Sequence, residues 1–523
     1  MRMEWIWKIV VAMTCLALTG CGVIRYLDYR KPALRFDPPL NQPLPTECHP
    51  AVAAALDAWR GLSSEERGRY PTPYHVYVDT PHPGTFEGDH TIGLAFSGGG
   101  TRGMVFGAAC VMELIKQGPF AVETDQGMQT IDPVDETAYV SGVSTGAIPA
   151  ALFALAHADK APEGFGFDQW PECFNQDLTG RGVRAFLARP HRIVRDMTLD
   201  MNTRPTGAAV VAATFFDGTP YQMGSGLTFG ALPATPVVLI GGTIVDDPAT
   251  EFVFTRLPYR YVLDARGVTP WDVGAQSFES FGSDPLQYPL GEASYAASAF
   301  PGVMRSGRLR VRDDPPWLAE ALRGPTADRW ARTRRQPGYE GIYSVMDGGL
   351  IDNRGAMLIA PIFHTPEIRT QPPPLLIVLD AGFADLRPAE PGSRNLDRGW
   401  FDELTASSLA GWRATQRAYG ALLDQLAAEA GFHVVQFRYT VWTRYLDRDG
   451  PENLYLRALC RDEPLIGTPE RLLAIARTIG TQASPLDDAQ YAAVRLAARF
   501  AVWHERDRLI AWAQARYAHE PGN

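Results

Sequence analysis

Two short glycine-rich motifs carry residues that could perform nucleophilic chemistry. The first, "FSGGGTRG", places Gly98, Gly99 and Gly100 between a strand-like run and a helix-like run. The second, "SGVSTGAIP", is a G-x-S-x-G pattern with Ser144 at its centre, again between a strand-like and a helix-like run. A serine on such a tight turn has an exposed hydroxyl next to a helix N-terminus, which favours a developing alkoxide. The second motif therefore predicts a nucleophilic serine.

The first motif predicts a site for negative charge. Successive main-chain N–H groups in front of a helix can cradle a phosphate or the oxyanion of an acyl transfer. A dinucleotide pattern G-x-G-x-x-G fits Gly98, Gly100 and Gly103, but the following stretch, "AVETDQGMQTIDPVDE", is typical of a polar loop and supplies no acidic residue closing a second strand. The P-loop pattern fails for want of its Gly-Lys-Ser/Thr. Together with the nucleophilic serine, the motif favours an oxyanion hole.

A serine nucleophile needs a base, and a histidine late in the chain would complete a Ser-His-Asp triad. The histidines considered for this role follow the serine motif: His364, His433, His504 and His519. The apolar run "GFHVVQF" around His433 is typical of a core or strand position, and none of these histidines lies in an evident glycine-rich loop.

An aspartate offers a second route to the base. The stretch "YSVMDGGLIDNRG" predicts a strand that ends at Asp347 beside two glycines, from where a carboxylate can reach a serine at the end of another strand. Asp352, Asp380 and Asp217 are rival acids, but only Asp347 carries the double glycine. We therefore favour Asp347.

The elements that position these residues alternate along the chain. Strands are predicted at 90–97, 137–143, 235–245 and 374–382, and the last two are mainly apolar, as in strands buried on both faces. Helical spacing follows the glycine motif and the serine motif, and returns at about 402–430 and 485–515. Strands that alternate with helices indicate an α/β fold with a parallel sheet.

The order of the motifs resembles that of the patatin-like phospholipases. G-G-G-x-R-G, then G-x-S-x-G, then a small-residue block ending in Pro-Gly ("EASYAASAFPGVM"), then D-G-G cover residues 92–354. The resemblance implies a three-layer α/β/α fold with a mostly parallel central sheet, a Ser-Asp dyad and no cofactor. It makes Ser144 the nucleophile and Asp347 the base. The backbone amides implied for the oxyanion hole are those of Gly98, Gly99, Gly100, Thr101, Arg102 and Gly103.

Two details of the resemblance concern Arg102 and the residues after D-G-G. We interpret Arg102, the motif arginine, as fixing the loop and adding positive potential. Family members usually carry an Asn-Pro shortly after D-G-G, whereas here Asn353 is followed by Arg354 and no proline is present.

The N-terminus predicts a lipid anchor. Arg2 and Lys8 precede a short apolar run that ends in "LTGC", which resembles the lipobox of bacterial lipoproteins. Cleavage would leave Cys21 as a lipidated N-terminus, and several acyl chains anchor a protein stably. Since no aspartate follows Cys21, the outer membrane is favoured over the inner membrane, and we expect its periplasmic side.

The domain organisation follows from these segments. We expect a signal peptide at 1–20, a proline-rich tether and short helix at 21–85, a catalytic domain at 86–385, and a mainly helical C-terminal part at 386–523 packed on the same domain.

Composition narrows the partners. The net charge of -10 argues against nucleic acid, and the scattered cysteines form no CxxC pair, so no metal site is predicted. Residues 305–335 hold nine arginines, either as a surface for anionic lipid head groups or as a solvated excursion of the chain.

The function expected from these residues is hydrolysis of lipid esters by a membrane-anchored serine acyl hydrolase. A triad esterase that uses His433 or His364 and a non-catalytic lipid-binding lipoprotein are the alternatives. The particular lipid, the ester position, transfer to an acceptor other than water, and the oligomeric state are left open by the sequence.

Overall fold

The architecture is taken from a computed structural model of the chain. It describes residues 41–44, 50–70, 73–81, 92–124, 127–160, 166–167, 170–188, 206–216, 227–245, 250–264, 275–300, 304, 306–312, 342–365, 368, 373–382, 400–481 and 483–517. The predicted signal peptide and Cys21 lie outside these residues, as do Asp217 and His519. Of the arginine-rich segment 305–335, the described part is 306–312.

A central sheet of nine strands organises the described part of the chain. Its strands are β1 (Ile92–Phe96), β4 (Thr137–Val143), β5 (Val237–Ile244), β6 (Glu251–Phe254), β7 (Gln276–Ser277), β8 (Gly307–Arg310), β9 (Ile342–Asp347), β10 (Leu375–Asp380) and β11 (His433–Arg438). The main path runs β11-β10-β1-β4-β5-β6-β7, and the strands from β11 to β5 are mutually parallel. β9 is antiparallel to β5 and to β8. The prediction of a mostly parallel sheet is confirmed.

Fourteen α-helices lie in the described ranges. They are α1 (Pro50–Gly61), α2 (Ser64–Arg69), α3 (Pro73–Val78), α4 (Gly100–Gln117), α5 (Ala147–His157), α6 (Leu178–Ala188), α7 (Thr206–Phe215), α8 (Tyr259–Asp264), α9 (Leu290–Ala297), α10 (Ala360–Phe363), α11 (Trp400–Ala430), α12 (Pro451–Asp462), α13 (Pro469–Ala476) and α14 (Asp488–Tyr517).

The sheet is covered on both faces, because successive side chains along a strand point to opposite sides. In β1, Leu94 and Phe96 join the larger hydrophobic cluster, which includes residues of α4, α5, α9 and α14. Ala95 joins the cluster on the other face, which includes residues of α8, α10 and α11. The result is the expected three-layer α/β/α arrangement.

The stretch interpreted as a polar loop is a β-hairpin, so that prediction was wrong. β2 (Phe120–Thr124) pairs antiparallel with β3 (Gly127–Ile131). Phe120, Val122 and Ile131 are buried in the larger cluster. The polar residues between them occupy alternate positions, so the segment keeps one apolar face despite its polar composition.

The C-terminal part completes the same sheet. It is mainly helical but also contributes β11, which pairs in parallel with β10. Helix α14 packs against α4 and against β2. No helix in the described ranges has both the length and the apolar character needed to cross a bilayer.

The described end of the predicted tether is packed on the domain. Asn41 and Leu44 are buried, and Pro43 forms an antiparallel bridge with Ser283. Asn41 also exchanges hydrogen bonds with the main chain of Arg310. Residues 41–44 therefore belong to the folded body, and the tether prediction is corrected for them.

Candidate active site

Sheet topology brings the serine and the aspartate together. β4 pairs with one edge of β5 until Val143 lies opposite Gly241. β6 pairs with the other edge of β5. β9 therefore pairs with the same edge of β5 as β4 does, but it runs in the opposite direction and ends with Asp347 opposite Gly242. The two chains thus meet end to end on β5, and Ser144 follows directly after Val143.

The serine side chain is bonded to the aspartate. The Ser144 hydroxyl donates a hydrogen bond of 2.9 Å to Oδ2 of Asp347. Ser144 has a φ of 51°, in the left-handed region that residues with a Cβ seldom adopt. Ser144 is half-buried, whereas Asp347 has 6% of its surface exposed. The strained turn therefore presents a partly accessible hydroxyl to a buried carboxylate.

The glycines on either side of the serine make this turn possible. A Cβ on Gly142 would overlap the carbonyl oxygen of Gly146. A Cβ on Gly146 would lie 2.5 Å from the carbonyl oxygens of Phe96 and Ser97, at the end of β1. The G-x-S-x-G spacing is thus explained by close approach of main chain to main chain.

Main-chain groups and one threonine fix the aspartate. Oδ1 of Asp347 accepts a hydrogen bond of 2.8 Å from the N–H of Gly349, in the short 3₁₀ helix Gly348–Leu350. The main-chain N–H of Asp347 donates to the carbonyl of Ala299, and its carbonyl accepts from the Thr243 hydroxyl. A Cβ on Gly348 would overlap the carbonyl oxygen of Gly241, so this glycine also marks a close approach.

The environment makes the carboxyl of Asp347 more basic than usual. Burial raises its pKa from the ordinary 3.8 to about 6, because the charged form loses its hydration. The hydrogen bonds from Gly349 and Ser144 act in the opposite direction, since they stabilise the carboxylate. A base with a pKa nearer neutrality is better suited to accept a proton from a hydroxyl.

The glycine loop lies directly against the serine. A Cβ on Gly98 would be 2.7 Å from Cβ of Ser144 and 2.5 Å from Oδ1 of Asn353. Gly99 and Gly100 have φ values of 140° and 65°, which glycine adopts without strain. Helix α4 starts at Gly100, so its first N–H groups face this end of the sheet without intrahelical acceptors.

The hydrogen bonds of the loop narrow the set of oxyanion donors. The N–H of Gly98 donates to the carbonyl of Asn353, and that of Gly103 donates to the carbonyl of Gly99. Both predicted donors are therefore engaged within the protein. In the described part of the chain, no hydrogen-bond acceptor is found for the N–H groups of Gly99, Gly100 and Thr101. A hydroxyl bonded to a carboxylate can attack an acyl carbon, and such amides beside it can donate hydrogen bonds to the resulting oxyanion.

Arg102 does not point towards the serine. It is 1% exposed, and its guanidinium donates to the carbonyls of Ala381, Ile479 and Gly480. It also lies over the ring of Tyr439. These contacts fix the glycine loop to the end of β10 and to the C-terminal part, as interpreted from the sequence. The expected contribution of Arg102 to positive potential stays a prediction.

Asp352 and Asp380, the alternative candidates for the base that the structure describes, have other hydrogen-bond or ion-pair partners. The carboxylate of Asp352 accepts main-chain hydrogen bonds from Arg354 and Met357, and burial raises its pKa. Asp380 accepts from the N–H of Gly382 and forms an ion pair of 3.4 Å with Arg354. Both shape the segment after Asp347, whereas the Ser144 hydroxyl donates its hydrogen bond to Asp347.

Three of the histidines considered for a triad lie in the part of the chain that the structure describes, and they have partners or positions away from Ser144. His364 lies 3.6 Å from Glu429, in an ion pair that forms only when the imidazole is protonated. His433 is the exposed first residue of β11. His504, on α14, contacts Tyr445. None of the three is a hydrogen-bond partner of Ser144.

Some supporting residues carried no signal in the sequence. Thr243, whose hydroxyl donates to the carbonyl of Asp347, is a polar residue inside an otherwise apolar strand. Gln416, on α11, contacts the segment after Asp347 and has no motif around it. Among the described residues, no group of three or more His, Cys, Asp or Glu side chains is arranged to hold a metal ion.

Comparison with known families agrees with this geometry. The family model described as patatin-like phospholipase matches residues 94–360, just over half of the chain. The chain belongs to the patatin-like phospholipase family. The family is one of lipid acyl hydrolases, and the matched range contains both the glycine loop and the Ser144–Asp347 pair.

Solved structures also match the chain, and one of them is a human phospholipase. Human GIVD cytosolic phospholipase A2 matches with 12% sequence identity and a TM-score of 0.38, over 90% of this chain and 65% of that one. The chain thus spans less than two thirds of the length of that phospholipase. No curated protein matches the sequence significantly.

The raised pKa of Asp347 predicts a pH-dependent effect of Asp347→Asn on stability. The folded pKa of about 6 lies above the ordinary 3.8, so the folded state holds this proton more tightly than the unfolded state. The stability that results is complete below about pH 4 and is lost as the pH rises through about 6. The amide carries no charge, so Asp347→Asn should raise the free energy of unfolding at pH 8 by about 2 kcal/mol relative to its effect at pH 4.

Urea denaturation of the wild type and the variant at pH 4, 6 and 8 measures this difference. Asp424→Asn, at an exposed position on α11, is the matched control. An effect of Asp347→Asn that is equal at pH 4 and pH 8 would contradict the assignment of a buried, destabilised carboxylate.

Proposed function

We propose that the protein is a serine carboxylic-ester hydrolase of the phospholipase A or lysophospholipase type, which acts on lipid esters through a Ser144–Asp347 dyad. The observation that carries the proposal is the 2.9 Å hydrogen bond between the Ser144 hydroxyl and the Asp347 carboxylate. Family membership supports lipid as the substrate class. The amides of the glycine loop, which lies against Ser144, support acyl chemistry.

Acylation begins with proton transfer. Asp347 accepts the hydroxyl proton as the Ser144 oxygen attacks the carbonyl carbon of the ester. The carbonyl oxygen becomes an oxyanion, and the amides of Gly99, Gly100 and Thr101 are assigned to bind it. Each such donor is worth about 10²–10³ in rate in comparable sites. Asp347 then returns the proton to the departing alcohol or lysophospholipid, and an acyl-enzyme remains on Ser144.

Deacylation repeats these steps with water. Asp347 removes a proton from a water molecule, which attacks the acyl carbon, and the same amides hold the second oxyanion. The proton then passes to the Ser144 oxygen as the fatty acid leaves. The pKa of about 6 makes Asp347 a stronger base than an exposed aspartate, yet one that is ionised at neutral pH.

The Ser-Asp dyad is preferred over a Ser-His-Asp triad. The triad needs an imidazole within hydrogen-bond reach of the serine. His364 and His433 instead lie at the Glu429 ion pair and at the exposed start of β11. A carboxylate already occupies the position of the base.

We also propose that a lipidated Cys21 anchors the protein to the outer membrane on its periplasmic side. The "LTGC" sequence supports the anchor. Asn41 is buried in the folded body, so about 20 residues connect it to Cys21, which at full extension span at most about 70 Å. The site would thus stay within reach of the membrane to which the anchor is attached.

Kinetics of a soluble p-nitrophenyl ester test the dyad. We expect Ser144→Ala to lower kcat/KM by about 10⁴-fold or more, because no other group replaces the nucleophile. Since Asp347 acts only when ionised, kcat/KM of the wild type should fall about tenfold per pH unit below pH about 6.

The histidine variants His364→Ala and His433→Ala are the matched controls, and both should keep kcat/KM within about threefold of wild type. Loss of activity in either one would favour the triad. Undiminished turnover in Ser144→Ala would refute the nucleophile. Lipid capture without turnover of any ester would indicate a binding protein instead.

Fractionation of expressing cells tests the anchor. The wild type should be labelled by palmitate and recovered with the outer membrane, and Cys21→Ser should lose both properties because the thiol is the site of acylation. Cys48→Ser serves as the control and should retain them. Recovery of Cys21→Ser with the membrane, still labelled, would exclude this anchor.

A further inference from the structure

The loop that follows Asp347 is held by a side chain from a distant helix. The N–H of Asn353 donates a hydrogen bond of 3.0 Å to Oε1 of Gln416, on α11. Nε2 of Gln416 lies 3.4 Å from the carbonyl oxygen of Gly349 and 3.3 Å from that of Ile351, and donates to both. One amide therefore contacts three main-chain groups within five residues of the loop.

These contacts lead to both parts of the candidate site. Gly349, whose carbonyl accepts from Gln416, donates its own N–H to Oδ1 of Asp347. Asn353, whose N–H donates to Gln416, accepts at its carbonyl from the N–H of Gly98 in the glycine loop. Gly349 thus connects Gln416 to the Asp347 carboxylate, and Asn353 connects it to the glycine loop beside Ser144.

An amide side chain is suited to this role. It offers an acceptor and two donor hydrogens at one end, so it can bond main-chain N–H and C=O groups together. The helix that carries Gln416 is fixed by Leu423 and Leu426, which are buried on the face of the sheet opposite α4. This loop also lacks the proline that would otherwise restrict its main chain.

We infer that Gln416 is a positioning residue that locks the loop after Asp347 and thereby aligns the Asp347 carboxylate with Ser144. The inference rests on the proposed function. Gln416 lies outside the range 94–360 that matches the family model. The C-terminal part is therefore required to complete the active site as well as the sheet.

Gln416→Met tests the inference, because methionine is similar in length but cannot make the three hydrogen bonds. With a soluble p-nitrophenyl ester we expect kcat to fall about tenfold or more while KM changes less than about twofold, since alignment and not binding is lost. The N–H of Gly349 lowers the pKa of Asp347, so a looser loop should move the acidic limb of the kcat profile to higher pH. Amide hydrogen exchange over residues 348–353 should become faster.

Gln425→Ala is the matched control. It removes an exposed glutamine on the same helix, whose side chain bonds only Glu429 among the described residues, and it should match wild type in every measurement. Gln416→Glu keeps the acceptor oxygens and the length of the side chain but loses both donors. It should therefore change in the same direction, and it decides the question if Gln416→Met does not fold.

These measurements distinguish a failure of the role of Gln416 from a failure of the proposed function. Equal kcat, pH profile and hydrogen exchange in the Gln416 variants and Gln425→Ala would overturn the role of Gln416. Absence of ester turnover in the wild type would instead contradict the proposed function, and hydrogen exchange would still report whether Gln416 holds the loop.

Discussion

The hydrogen bond between Ser144 and Asp347 is the interaction on which the rest of the site depends. The two residues are 203 positions apart, and they meet because β4 and β9 share one edge of β5 and end against each other. Such a junction leaves little room for side chains. Gly142 and Gly348 stand where the main chains approach most closely, which explains why glycine flanks both functional residues.

The same junction stores unfavourable free energy. Ser144 is held in a left-handed conformation, and burial destabilises the charged form of Asp347. Packing on both faces of the sheet offsets these costs, since β1, β4 and β5 are buried along their whole length. Strain and burial are also what make the hydroxyl accessible and the carboxylate basic. A left-handed main chain and a buried carboxylate therefore coincide where the chemistry is proposed.

Local patterns in the sequence predicted much of the framework. The run at 137–143 is β4 with those bounds, and the apolar run at 374–382 contains β10, because a strand buried on both faces leaves a continuous apolar signal. The motif glycines pointed to the turns at Ser144 and Asp347 for a similarly local reason. The hairpin β2–β3 was missed because only alternate residues, such as Phe120 and Val122, are buried.

Contacts between distant segments could not be predicted in this way. Nothing near Gln416 indicates that its amide bonds a loop more than 60 residues earlier. Arg102 could be assigned to the glycine loop from its motif, but its acceptors at Ile479 and Gly480 depend on how the C-terminal helices pack. Side chains that bond main-chain carbonyls are specified by tertiary structure, so no residue pattern records their partners.

Covalent labelling with a fluorophosphonate tests the central claim most directly, because the reagent reacts with an activated serine and leaves a tetrahedral adduct in the oxyanion hole. Peptide mass mapping should find one adduct, on Ser144, formed more slowly below pH about 6 as Asp347 becomes protonated. An adduct on another residue, or an unlabelled Ser144 in a protein that turns over esters, would contradict the account.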